Sequence, residues 1–174
     1  GNAAAAGETV TVSLDPAFVS NAMADFSSKG PNKAVNDIIK PDITAPGVNV
    51  LAAGTPETFT KPKGNNFTYM SGTSMASPHI AGMAALLKQQ HPDWTPAMIK
   101  SALMTSAGQN VTKASSAVPA GIFDFGSGHA QPVLAATPGL VYDTTANDYF
   151  AFLCGLGKTA FVEDQSGYSC AAFT

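Results

Sequence analysis

An α/β fold is the class this sequence predicts, on three observations. Residues 8 to 15, ETVTVSLD, alternate valine with polar residues as a half-buried strand does. The stretch VNVLAA, residues 48 to 53, reads as a second strand, short and buried. Two later segments carry apolar residues at helical spacing instead. Taken in order, Asp15-Pro16 ends the first strand and Lys29-Gly30-Pro31-Asn32 marks a turn. Prolines 41 and 46 forbid a helix before VNVLAA. A polar loop fills 55 to 66, and Phe67 to Met70 forms a brief strand that delivers the chain to Gly72. A helix then runs to about Gln90, its inward side marked by Ile80, Met83, Ala84 and Leu87. In DWTPAMIKSALMTSA, Thr95 caps a second helix, Pro96 is its first residue and Gly108 lies beyond its end. A short helix at Gln131 to Ala136 and a last one at Asn147 to Leu156 precede a polar tail carrying Cys170.

Composition narrows the function classes. The 174 residues can bury a real core, and 45% of them are hydrophobic. Only 12% are charged, about half the usual ~25%. A net charge of −3, with no basic cluster, argues against nucleic acid or anionic lipid as a partner. No apolar run approaches the ~18 residues that span a bilayer. The opening GNAAAAGETVTVSLD is that expected of a processed product or a fragment, with any secretion signal lost upstream. Cys154 and Cys170, 16 positions apart, can close a disulfide in an oxidising compartment or remain two buried thiols. Two glycosylation triplets, Asn66-Phe67-Thr68 and Asn110-Val111-Thr112, agree with secretion and matter only in a host that glycosylates.

The chemistry-bearing stretch is YMSGTSMASPHIAGMAALLKQQHP, from Tyr69, where a polar, glycine-hinged start enters a helix of small and apolar residues. Acyl transfer by serine needs a base for the hydroxyl proton and donors for the oxyanion. Ser74 at a helix start brings one such donor, its own N–H, and the positive end of the helix dipole. Gly72 removes a side chain where a substrate backbone would approach, and Pro78 is expected in the first turn. The competing account is that Thr73 or Ser74 simply caps the helix. His79 is a poor base: five residues of helix turn it about 140° away from Ser74. His91 lies at the far end of the helix. An α/β-hydrolase set of Ser74, Asp124 and His129 fails on the G-x-S-x-G elbow, whose last position is Ala76 here.

SGTSMASPHIAGMAALL closely resembles the nucleophile motif of subtilisin-like serine peptidases, and the likeness continues on both sides. FSSKGPN and KPDITAPGVNVLAA resemble the approach to that motif, HPDWTPAMIKSALMTSA the helix pair after it, and FDFGSGHAQPVLAATPGLVYD the close of the catalytic domain. DYFAFLCGLG is similar to the segment beyond that domain in the plant-type, cucumisin-like branch, and GETVTVSLD to the last strand of the protease-associated domain inserted there. The resemblance therefore divides the chain into 1–20, the end of that inserted domain, 21–142, the C-terminal part of the catalytic domain, and 143–174, an extension with the Cys154–Cys170 pair. It implies a three-layer α/β/α domain around a mainly parallel sheet.

It also implies a secreted endopeptidase acting on protein or peptide substrates, with no cofactor. Ser74 would be the nucleophile and its backbone N–H an oxyanion donor, with Gly72 and Thr73 along the substrate backbone. In the family the aspartate, the histidine and the oxyanion asparagine all precede the serine. None of the three histidines here does, and no upstream asparagine has the family's setting. The remaining groups are then expected from an N-terminal portion of the same protease. The alternative is a catalytically silent fragment or interaction module. Calcium is common in bacterial relatives, yet no carboxylate cluster has ligand spacing. An isolated piece is expected to expose a large apolar patch, hidden by that portion or by domain swapping into a homodimer.

Overall fold

The computed structural model describes residues 21–57, 64, 66–114 and 116–173. The strand expected at 8 to 15 and the inserted-domain remnant at 1 to 20 lie outside them. Strands β1 (Val50–Ala53) and β2 (Phe67–Met70) come first. The helices α1 (Thr73–Gln90), α2 (Pro96–Thr105), α3 (Ile122–Phe125), α4 (Pro132–Ala135), α5 (Ala146–Gly155) and α6 (Thr159–Ser166) come after them, then a 3₁₀ turn at Cys170–Phe173.

The core forms where α1 and α2 cross near α4. Leu87, Ile99, Leu103 and Ala135 are buried together, and Ile80, Met83 and Ala84 pack on them with Ile43 and Trp94. All four residues expected to face inward from α1 do so. At α2 the Thr95 hydroxyl accepts the Met98 N–H at 3.1 Å and Pro96 is the first helical residue. Thr95 satisfies one of the helix's unpaired donors, and proline has no N–H there to lose. Lys88, in the last turn of α1, donates to the carbonyls of Pro92 and Trp94 at 2.7 and 2.8 Å.

The chain between these helices is held by extended pairing. Thr44 donates its N–H to Gly128 and accepts from Ala130, both at 2.9 Å. His129 exchanges backbone bonds with Gly108 at 2.7 and 2.8 Å, so residues 128–130 run between two neighbours. Gly126 and Gly128 adopt φ of 68° and 127°. A Cβ on Gly126 would strike the Pro41 carbonyl, and one on Gly128 the Gly108 carbonyl. Both the conformation and the closeness therefore require glycine.

Two expectations are corrected. The strand at 50–53 is not buried: β1 pairs only with β2, antiparallel, with Leu51 opposite Tyr69 and Ala53 opposite Phe67. No described layer covers that face, and Leu51, Phe67 and Tyr69 are exposed. Pro78 is the sixth residue of α1, in its second turn. The tail after α5, read only as polar, holds α6 and is tied back by a disulfide. Cys154 and Cys170 are bonded, with Cα atoms 5.5 Å apart. Val162 of α6 is buried at 1% exposure, and Cys170 N–H donates to Glu163 at 3.1 Å. This unit joins the rest through residues 137–145, where Tyr142 N–H donates to Ser101 Oγ at 2.9 Å and Thr95 Oγ1 to Asp143 at 2.7 Å. As for the parallel sheet, the described pairing contains two single parallel bridges, Ala22 with Thr112 and Thr44 with His129.

Asp124 on α3 is a buried carboxylate with both oxygens used. It accepts from the Gly121 N–H at 2.9 Å and pairs with Lys29 at 3.0 Å. The Gly121 hydrogen bond, and then Lys29, hold its carboxyl below the ordinary value of 3.8. A depressed folded pKa means stability that is present above the unfolded value and lost as pH falls through the folded one. Asp124→Asn should cost roughly 1 kcal/mol at pH 7 and flatten the loss of stability below about pH 4, as read by urea unfolding at several pH values. Replacing Cys154 and Cys170 by serine should remove up to about 3 kcal/mol from the C-terminal unit. Hydrogen exchange should show faster amides over 146–166 with protection in α1 unchanged.

Candidate functional site

The candidate site is the start of α1. Gly72 occupies the N-cap position, and no side chain caps the helix. This rejects the reading of Thr73 or Ser74 as a cap. Gly72 N–H donates to the Gly47 carbonyl at 2.8 Å, and Met75 N–H turns back to Gly72 at 3.0 Å. Between them, the N–H groups of Thr73 and Ser74 have no acceptor among the described residues. The first turn of α1 holds no acidic residue to offset the positive end of its dipole. Pro78 adds a second effect: its missing N–H deprives the Ser74 carbonyl of its usual partner four residues on. Ser74 is thus an exposed side chain on a residue whose two backbone groups are both released from the helical pattern.

The turn that presents it is locked from one side. Ser71 Oγ accepts the Asn49 N–H at 2.8 Å. Asn49 adopts φ of 50°, a left-handed conformation that asparagine tolerates better than most residues. Gly47 lies so close beneath that a Cβ there would sit 2.9 Å from the Gly72 carbonyl oxygen. Gly72 itself is under no such pressure. A Cβ on it would meet only Met75 Sδ at 3.6 Å and Ser74 N at 3.7 Å. The sequence pattern does not single out the parts played by Ser71, Asn49 and Gly47; the one signal is the asparagine that comes directly after Pro46-Gly47-Val48.

Two of the three histidines have their rings bonded elsewhere, and His129 lines the cleft beside the site. His79 Nδ1 bonds the Met75 carbonyl at 2.8 Å, a turn back along its own helix. His91 stacks on Trp94 with ring centroids 3.8 Å apart, and its Nε2 bonds the Ala136 carbonyl at 2.9 Å. His129 is fixed through its backbone. Asp124 is engaged by Lys29 and Gly121, so Ser74, Asp124 and His129 are not assembled into a hydrolase triad. Among the described residues no group of three His, Cys, Asp or Glu is placed to hold a metal ion, and no helix is long and apolar enough to cross a membrane.

A cleft of about 640 Å³ opens beside the site. Residues 21–28 line it on one side and 41–48 on another, with Gly72, Thr73, Ala76, Ser77 and Ile80 of α1 as its floor. The first wall turns at Asp25 and Phe26, and each wall carries one parallel bridge, at Ala22 and at Thr44. Ile43 and Ala45, and Ala22 on the opposite wall, have backbone N–H and C=O groups without partners among the described residues.

Comparison with known proteins finds the Subtilase family, Peptidase_S8, matching residues 1–151. Subtilisin-like protease SBT1.3 of Arabidopsis thaliana is 50% identical over 143 residues, covering 76% of this chain and 18% of that protein. Subtilisin-like protease SBT1.6 of the same plant is 45% identical over 173 residues, covering 91% of this chain and 22% of its own length. The chain thus spans about a fifth of the relatives it matches. Among solved structures, fervidolysin from Fervidobacterium pennivorans, a keratinolytic enzyme related to subtilisin, is 27% identical with a TM-score of 0.40, over 57% of this chain and 15% of its own.

The asymmetry between two glycines is testable. Gly72→Ala should shift the unfolding free energy by about 1 kcal/mol or less. Gly47→Ala should cost about 1–3 kcal/mol, because the new methyl forces the start of α1 away. Thermal unfolding of the two variants compares them directly.

Proposed function

This chain belongs to the subtilase family of serine peptidases, in its plant-type branch, and on that footing we propose that it is the C-terminal part of the catalytic domain of a secreted endopeptidase. Ser74 Oγ attacks the scissile carbonyl carbon while its proton passes to a histidine base. The peptide bond then breaks, the amine leaves with that proton, and water hydrolyses the Ser74 ester. The Ser74 N–H is one donor to the oxyanion, and Gly72 and Thr73 run along the substrate backbone. The carrying observation is the uncapped start of α1, with an exposed Ser74 and a Ser74 N–H that has no acceptor among the described residues. That Gly72 has room for a Cβ within its own chain supports a glycine retained for something outside it.

The histidine, its aspartate and the oxyanion asparagine come from an N-terminal portion of the same protease. The open edges at Ala22 and at Ile43 and Ala45 support this reading, since an extended strand laid in the cleft would complete a mainly parallel sheet. The exposed side of α1, with Ala81, Ala85 and Leu86, supports a covering layer as well. Secretion is supported by the Cys154–Cys170 bridge, which persists in oxidising compartments. In this proposal residues 1–20 end an inserted domain, 21–142 are catalytic and 143–174 extend them.

The second reading, a silent fragment or binding module, draws on His79 and His91, whose rings are each bonded to a carbonyl away from Ser74. Intact mass after treatment with a fluorophosphonate probe, without separating chains, distinguishes the two. One adduct on Ser74 together with a second polypeptide is the expected result, and Ser74→Ala should abolish it. No adduct and no second mass would establish the silent fragment.

A further inference from the structure

The cleft beside Ser74 carries a single ionisable group. Among the described residues no Asp, Glu, Lys or Arg lines it, and His129 does. The backbone delivers His129 there. Its N–H and C=O are exchanged with Gly108, and its neighbours Gly128 and Ala130 bond Thr44. The ring has no hydrogen-bond partner and no ion pair among the described residues, unlike the rings of His79 and His91, which are both hydrogen-bonded.

The charged groups on the surrounding segments do not answer it. Asp42, two residues before Thr44, is taken by Lys40 and Lys100, and Asp124 is taken by Lys29. Asp25 and Lys113 are exposed, and none of these groups lines the cleft. His129 is half-buried with the cleft open, and a segment laid in the cleft covers it further. An imidazolium taken from water with no carboxylate to meet it is unfavourable, and a neutral imidazole costs far less. The covered state therefore binds fewer protons at this ring than the open one. By linkage, covering is favoured at high pH and weakens as pH falls, by at most about tenfold in affinity per pH unit for one proton. Histidine is the side chain whose charge changes between pH 5 and 8.

We infer that the cleft is a proton-gated docking surface, which takes an extended, uncharged segment of the N-terminal portion and releases it when His129 is protonated. For the identity of the partner this rests on the function proposed above. Two observations favour that occupant. The relatives are about five times as long as this chain, and the free backbone groups of Ala22, Ile43 and Ala45 suit pairing with an added strand. The segment is uncharged because the walls offer a charged side chain no partner except that ring.

The test uses the complete protease, this chain bound to its N-terminal portion, with dissociation followed by analytical ultracentrifugation. Between pH 7.5 and 5.5 the Kd should rise about tenfold, and in His129→Gln by less than about twofold. An unchanged Kd, a lower Kd at pH 5.5, or a rise that persists in His129→Gln would overturn the inference. Should that variant not fold, NMR of the wild-type chain labelled with ¹³C-histidine decides. The His129 signal should take up its proton at lower pH in the bound chain than in the free one, and an equal or higher midpoint overturns the inference. Fluorophosphonate labelling of the same assembly at pH 7.5 separates the two readings. An adduct on Ser74 with pH-independent binding sinks the inference alone, and pH-linked binding without an adduct sinks only the role of Ser74. A chain that binds no second polypeptide overturns both.

Discussion

The extended segment from Pro41 to Asn49 is the member on which the rest of the structure hangs. Its prolines exclude a helix, and its backbone serves three neighbours in turn. Thr44 pairs with residues 128–130, Gly47 accepts from Gly72, and Asn49 donates to Ser71. Its side chains reach further: Ile43 packs on the core, and Asp42 meets Lys100 of α2 at 3.2 Å. Burial pushes the Asp42 carboxyl up, and the hydrogen bonds from Lys40 and Lys100 outweigh it, leaving the group below its ordinary value. Without this segment the two ends of the site would have no common frame.

Much of this is legible in the residues themselves. Pro96 after Thr95 dictates the start of α2 because one supplies the cap and the other fixes φ. The spacing of Ile80, Met83, Ala84 and Leu87 dictates the inner face of α1. The failures have a common physical origin. VNVLAA reads as buried because its residues are apolar, but burial needs a second layer, and apolar side chains alone do not supply one. The bridge that ties the tail back acts over 16 positions, beyond the reach of local pattern, so the helix between its ends goes unread. The lock of Asn49 on Ser71 spans 22 positions and is likewise invisible to periodicity.

The uncovered side of α1 bears on the composition too. Helix α1 is apolar or small nearly all round, the pattern of a helix enclosed on every side. Among the described residues only one side is enclosed, and Leu86 is 64% exposed. Each large apolar side chain taken from water is worth about 1.5–3 kcal/mol. Leu86 sits on the uncovered side with Ala81 and Ala85, so that surface is apolar as an interior is.

Helix α1 also acts as a lever. Its 18 residues span about 27 Å, with Ser74 at one end and the His91, Trp94 and Lys88 anchorage at the other. Over that length a tilt of about 2° displaces the first turn by roughly 1 Å, enough to misalign a reacting atom. Alignment at the serine is therefore governed in part by how firmly the distant end is clamped. The His91 bond to Ala136 and the two Lys88 bonds would set that tolerance for the proposed chemistry from the far end of the helix.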